Sequence, residues 1–261
     1  MRLHVVSDVH LRLDALTQAG DGADALVCLG DLLLFVDYAD PSQGIFPDLF
    51  GVEQTRAFVD LRTARRFDEA RQLSRDLWTG LGRQPQDVVR DAVRSQYEQV
   101  FAALPVPAYV TFGNVDLPDL ADGLPRPGHV LLDGATTEIG GLRFGFVGGG
   151  LRTRYRTPNE LSDEAFAAKV AAVGAVDVLC CHVPPALPEV TYDVVARRFE
   201  RGSTAVLDLV RRTSPWLLLH GHVHQPLVAR TRVGRTESVN VGHFRATGLP
   251  FVLDLQDAPL R

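Results

Sequence analysis

Trp216-Leu217-Leu218-Leu219 runs directly into His220-Gly221-His222-Val223-His224. An apolar run ending in glycine-flanked histidines reads as a buried strand that delivers polar side chains at its C-terminal end. In extended backbone His222 and His224 share one face, because side chains alternate with period two. Two imidazoles side by side suit zinc-group and transition metal ions. Taken alone, such a pair is more often structural or solvated. The chain, however, repeats the arrangement. Val5-Val6-Ser7-Asp8-Val9-His10 places Asp and His after an apolar run, and Leu26-Val27-Cys28-Leu29-Gly30-Asp31 ends in Gly-Asp. Tyr109-Val110-Thr111-Phe112-Gly113-Asn114-Val115-Asp116 ends in Gly-Asn-Val-Asp, and Val178-Leu179-Cys180-Cys181-His182 ends in His. Parallel sheets bring C-terminal strand ends to one edge, so these residues are predicted to meet.

This order over residues 3 to 224 (Asp-x-His, Gly-Asp, Gly-Asn-x-Asp, His, Gly-His-x-His) resembles that of the calcineurin-like metallophosphoesterase superfamily. The resemblance implies an α/β fold: a four-layer α/β/β/α sandwich of two mixed sheets, face to face, with helices outside. Carried over residue by residue, it implies two metal sites. Asp8, His10, Asp31 and His224 would hold one ion; Asp31, Asn114, His182 and His222 would hold the other, with Asp31 bridging. Asp31, Asn114 and His222 are then the catalytic residues. Carboxylate and amide oxygens mixed with imidazoles suit Mn²⁺, Fe or Zn²⁺ rather than Ca²⁺, and Mn²⁺ is the expected activator. The implied reaction is hydrolysis of a phosphoester by a hydroxide shared between the two ions. No nucleophilic Ser or Cys triad is evident.

One position departs from the family's pattern. Many members carry Gly-Asn-His-Asp, whose His neutralises the phosphate or protonates the leaving group; Val115 stands there in this chain, before Asp116. Loss of a general acid typically costs about 10²–10⁴-fold. That weighs against poor leaving groups and favours a small phosphodiester, nucleotide-like or otherwise. The alternatives are a phosphomonoesterase, a nucleotide pyrophosphohydrolase, or a non-catalytic metal-binding scaffold. His243, in Asn240-Val241-Gly242-His243, is a candidate substitute and substrate contact. Gly148-Gly149-Gly150 allows close backbone approach, and Arg152, Arg154 and Arg156 follow it. Alternating arginines suit a phosphate, and Arg152 and Arg154 are the further substrate-binding candidates. No Gly-Lys-Ser/Thr follows, so this is not a P-loop.

At 261 residues the chain suits one metallophosphoesterase domain, residues 1–261. The net charge of −5 argues against a broadly basic nucleic-acid surface, so the expected partner is a small phosphoester rather than nucleic acid. Lys169 is the only lysine, and the remaining positive charge is arginine. Cys28, Cys180 and Cys181 lie in apolar runs and read as buried reduced thiols. The N-terminus enters a strand at once, without a secretory leader, and no apolar run is long enough to cross a bilayer. The expected location is cytoplasmic.

Residues 35–104 separate the second and third metal loops and read as a helical insertion capping the site. From Glu53 to Leu81 apolar residues recur at helical spacing. Another helix starts near Pro85 and is stopped by Pro105 and Pro107. Asn159 to Val173 reads as an amphipathic helix, and Ser203 as the cap of a helix over 204–212. The tail after residue 227 reads as antiparallel strands with a Val233-Gly234 turn.

Overall fold

The computed structural model describes residues 1–257; residues 258–261 of the expected 1–261 domain lie outside them. The first part of the chain forms β1 (Arg2–Val6), α1 (Leu13–Leu16), β2 (Ala25–Cys28), α2 (Ile45–Phe50), α3 (Val52–Thr63), α4 (Phe67–Gly80) and α5 (Pro85–Ala103). Then come β3 (Ala108–Val110), β4 (His129–Leu131), β5 (Ala135–Ile139), β6 (Leu142–Val147), β7 (Gly150–Leu151), β8 (Glu160–Leu161) and α6 (Asp163–Val173). The last part adds β9 (Val178–Cys181), α7 (Pro188–Thr191), β10 (Tyr192–Asp193), β11 (Arg198–Phe199), α8 (Thr204–Thr213) and β12 (Leu217–His220). It closes with β13 (Arg230–Val233), β14 (Thr236–Asn240), α9 (Phe244–Thr247) and β15 (Phe251–Asp254).

Two mixed sheets carry the molecule. One has the order β15-β1-β2-β3-β4, the other β13-β14-β12-β9-β6-β5. In the first, β1 to β4 are parallel and β15 closes the edge antiparallel to β1. In the second, β14, β12, β9 and β6 are parallel, with antiparallel β13 and β5 at the edges.

Strand alternation builds three cores. Leu3, Val5, Ala25, Val27, Val178, Cys180, Leu217 and Leu219 fill the space between the sheets. The alternate residues Val6, Leu26, Cys28 and Val110 face outward, where Leu16 of α1 and Val93, Tyr97, Val100 and Phe101 of α5 cover them. Leu179, Cys181 and Leu218 face the other way, under Phe166 and Val170 of α6 and Val206, Leu209 and Val210 of α8. This is why the apolar runs are nearly continuous: strands buried on both faces need apolar residues at every position. The three cysteines fall in three separate cores and are free and buried.

Local chemistry sets the outer helices. Ser162 and Ser203 cap α6 and α8, each hydroxyl accepting a backbone N–H, from Ala165 and Val206. The long helical pattern expected over 53–81 is two helices. Arg65 takes φ +59, and Arg66 N–H bonds the Leu61 carbonyl at 2.8 Å, so α3 ends in a left-handed turn before α4 begins. The tail also differs from expectation. β13 and β14 form the hairpin, but β14 runs parallel to β12, and β15 crosses to the other sheet. No helix among the described residues is long and apolar enough to cross a membrane.

Candidate metal centre

The loops after β1, β2, β3, β9, β12 and β14 all leave from one edge of the paired sheets, and backbone hydrogen bonds lock several of them together. Asp8 N–H bonds the Gly30 carbonyl at 3.0 Å, and His10 N–H the Asp31 carbonyl at 2.8 Å. Glycines permit the packing. A Cβ on Gly30 would sit 2.0 Å from the Gly113 nitrogen, and one on Gly221 would sit 1.9 Å from Ser7 Oγ and 2.5 Å from Asp8 Oδ2. Gly30, Gly113 and Gly221, each just before an expected ligand, are thus points where ligand loops touch. Four of the expected ligands adopt left-handed backbone: Asp8 (φ 57), His10 (φ 39), Asp31 (φ 53) and His222 (φ 68). Strained non-glycine positions cluster at functional sites.

The seven residues expected to bind metal come together. Asp31 lies between two groups. Its Oδ2 is 3.8 Å from His10 Nε2, and its Oδ1 is 3.4 Å from His182 Nε2. On the first side, His224 Nε2 is 3.4 Å from Asp8 Oδ1. On the second, Asn114 Oδ1 is 3.0 Å from His182 Nε2 and 2.8 Å from His222 Nδ1. His222 and His224 do not share a strand face, contrary to expectation. β12 ends at His220, and the left-handed turn at His222 sends the two rings to different groups. His220 itself is buried, with Nε2 3.1 Å from Ser238 Oγ.

The donors are set for a cation. His182 Nδ1 faces the Leu29 carbonyl at 2.9 Å and His10 Nδ1 the Leu33 carbonyl at 3.0 Å. A carbonyl only accepts, so both rings carry a proton on Nδ1 and turn Nε2 inward. Asp8 Oδ1 is buried without a hydrogen-bond partner. Burial pushes the Asp8 carboxyl upward, but the adjacent His224 imidazole, 3.4 Å from Oδ1, outweighs it and holds the group well below the usual range. For Asp31 burial is likewise overcome, chiefly by His182, and its pKa is about 2. Burial lowers His10, and it pushes His222 and His243 down to about 4. His182 and His224 are the exceptions: burial lowers both, but Asp31 drives His182 up to about 9 and Asp8 raises His224, so these two rings carry protons that a bound cation would displace. Ionised carboxylates and neutral imidazoles are the states that metal binding requires. An orphaned carboxylate oxygen and inward-facing imidazole nitrogens therefore fit divalent ions.

His243 enters from the sixth strand end. Its ring stacks on His224 at 3.8 Å, lies edge-on to His10 at 6.0 Å, and has a buried Nε2 without a partner. His10, His224 and His243, and separately Asp8, His10 and Asp31, place ligand atoms close enough to share an ion. The signal for His243 was the Gly-His pair alone, since its strand β14 (Thr-Glu-Ser-Val-Asn) is not an apolar run. Arg245, absent from the sequence reading, bonds the His10 carbonyl at 2.5 Å and Asp37 at 2.9 Å, tying the first metal loop to the segment after Asp31.

A family model for calcineurin-like phosphoesterases matches residues 1–226. The chain belongs to that family. As a calcineurin-like phosphoesterase it is a metal-dependent phosphoester hydrolase. Curated protein sequences give no match. Among solved structures, TT1561 of Thermus thermophilus is 14% identical at a TM-score of 0.56; the alignment covers 100% of this chain and 96% of that one. Another crystal structure is 17% identical at a TM-score of 0.62, covering 100% of this chain and 97% of its own. These likenesses support the fold.

Within this calcineurin-like phosphoesterase the Gly-Asn-Val-Asp loop has divided roles. Val115 N–H bonds Asp31 Oδ1 at 3.0 Å, while its side chain lines a cleft of about 1080 Å³ beside His10, His224 and His243. Leu11, Leu33, Leu34, Phe35 and Tyr38 give that cleft an apolar wall. Asp116 turns away from it. The carboxylate is fully buried and accepts from Leu32 N–H (2.9 Å), Leu33 N–H (3.2 Å) and Gly113 N–H (2.7 Å). It clamps the loop of Asp31 to the loop of Asn114. Arg152 and Arg154 lie elsewhere. Arg152 lines a smaller cleft with Arg156, and Arg154 rests on the Tyr155 ring at 5.0 Å.

Proposed function

We propose that this chain is a dinuclear phosphodiesterase that cleaves a small diester, with Asp8, His10, Asp31 and His224 holding one ion and Asp31, Asn114, His182 and His222 the other. The observation that carries the reading is Asp31, whose two oxygens face histidines of different groups, His10 and His182. A bridging carboxylate needs that disposition. Two bound ions supply an acidified water and neutralise charge at phosphorus; the mixed oxygen and imidazole donors suit Mn²⁺ first, then Fe or Zn²⁺. The chain's own part is positioning. The Leu29 and Leu33 carbonyls fix the rings of His182 and His10, and Val115 N–H orients Asp31.

The diester preference rests on the cleft. A monoester dianion gains nothing from Leu11, Phe35, Tyr38 and Val115, whereas a second ester arm buries apolar surface there. With valine at 115 no imidazole in this loop protonates the leaving group, so His243 is the substrate-facing imidazole. Residues 35–104 act as an insertion that shapes access: Phe35 to Asp40 form one cleft wall, while α5 packs on the first sheet.

The test combines metal analysis with a panel of chromogenic mono- and diesters in Mn²⁺. Wild type should bind two ions and favour diesters. Asp31→Asn, which weakens both sites at once, should lose bound metal and nearly all turnover while keeping the native circular dichroism spectrum. Two ions retained with near-normal turnover would refute the bridging assignment.

A further inference from the structure

Two neighbouring loops beside the ligand set each carry three arginines. The loop between β7 and β8 carries Arg152, Arg154 and Arg156; the β10–β11 turn and the residues after it carry Arg197, Arg198 and Arg201. The loops are tied together. Arg198 Nη1 donates to the Tyr155 hydroxyl at 2.6 Å, and Arg201 Nη1 to the Arg152 carbonyl at 2.7 Å. Arg198 and Arg201 pair with Glu200 and Asp163. Arg152 and Arg156 make no such ion pair among the described residues.

Those two guanidinium side chains line a cleft of about 370 Å³ with Thr157 and Glu160. Glu160 is spent on the loop itself, accepting from Thr153 N–H (2.7 Å), Thr153 Oγ1 (2.6 Å) and Thr157 Oγ1 (2.9 Å). Two cations outnumber the one committed carboxylate of the lining, and Glu164, outside it, also interacts with the Arg152 charge. Arg156 is held there in left-handed backbone, φ 52. The cleft also adjoins the metal centre. Thr157 Oγ1 accepts from Asn114 Nδ2 at 2.9 Å, and Asn159 Nδ2 bonds the Gly113 carbonyl at 2.9 Å. The apolar cleft borders the His10 and His224 end of the ligand set; this one borders the Asn114 end.

We infer that the cleft of Arg152, Arg156 and Thr157 is a second anion site, and that the substrate carries a further phosphate-like group beside the ester that is cleaved. The inference rests on the phosphodiesterase reading and specifies one ester arm: the apolar arm lies along Phe35 and Val115, and the anionic arm reaches the arginines. Sequence reasoning selected Arg152 with Arg154; the structure pairs Arg152 with Arg156.

The experiment compares two substrates on the Mn²⁺-loaded protein, p-nitrophenyl propyl phosphate and its 3-phosphonopropyl analogue. Wild type should favour the phosphonate about tenfold in kcat/KM, expressed in KM, as expected for two charge-assisted contacts at a solvent-facing cleft. The preference should shrink as salt is raised. In the Arg152→Ala/Arg156→Ala variant the ratio of the two kcat/KM values should fall toward one. A wild-type ratio at or below one, a ratio indifferent to salt, or a ratio unchanged in the double variant overturns the anion site. A wild type that cleaves neither probe overturns the phosphodiesterase reading beneath it.

Discussion

Asp116→Asn tests how the ligand loops are held in place. The native carboxylate receives three backbone N–H groups, two from the segment after Asp31 and one from Gly113. The amide oxygen of Asn can keep Leu32 and Leu33. Its NH₂ then faces Gly113 N–H, donor against donor, and that buried N–H loses its acceptor at a cost of about 1–3 kcal/mol. The two retained bonds lose charge assistance, roughly another 1 kcal/mol. Relief of repulsion between Asp116 and Asp31 offsets part of this. Burial, followed by that repulsion, pushes the Asp116 carboxyl up to about 7, so the comparison belongs at pH 8, where it is ionised. With that offset subtracted, and the burial of the charge relieved as well, the net expectation is about 1–2 kcal/mol, or a Tm lower by about 2–8 °C for a chain of this size. Because the clamp joins the loops of two metal ligands, metal affinity should also fall, by about 10–100-fold, as for other groups that orient ligands. Thermal unfolding of both proteins with saturating Mn²⁺, together with titration calorimetry of the metal, gives the two numbers. An unchanged Tm with unchanged metal affinity would show that Asp116 holds neither loop.

Val115→His places an imidazole beside the cleft; hydrolysis of esters with high-pKa leaving groups should rise more than that of activated aryl esters, and equal changes for both would exclude this corner from the proton path. His220, fully buried and pushed down to about 3 mainly by that burial, favours the fold while neutral. Its contribution is therefore present above the unfolded value near 6.5 and is lost as pH falls toward 3, up to roughly 4–5 kcal/mol. Urea unfolding of the metal-free protein between pH 4 and 7 should be steeper in pH for wild type than for His220→Gln, and parallel profiles would count against it.

Much of the centre is legible in the sequence because its logic is local. Apolar runs buried on both faces, each ended by a ligand residue and three of them through a glycine, specify parallel strands whose ends share an edge, and the order of ligands carries the family resemblance. Asp8, His10, Asp31, Asn114, His182, His222 and His224 could be named on that basis. What lies beyond the runs was less readable. His243 follows a glycine, but its strand β14 is mostly polar, and hydrophobic spacing does not encode the parallel pairing of that strand with β12. The break at Arg65 was also hidden, since a left-handed residue other than glycine leaves no compositional mark.

The sequence alone thus determined the strand ends, the donor chemistry and the two-sided burial of the strands, since these depend on residue type and spacing. Tertiary structure decided which donors face one another. It turned His222 and His224 to different groups, set Asp31 between His10 and His182, and aimed Asp116 inward at three backbone N–H groups while Val115 faced the cleft. It also paired Arg152 with Arg156 rather than Arg154. These outcomes depend on left-handed backbone at single residues and on contacts between loops far apart in the chain, which no local pattern specifies.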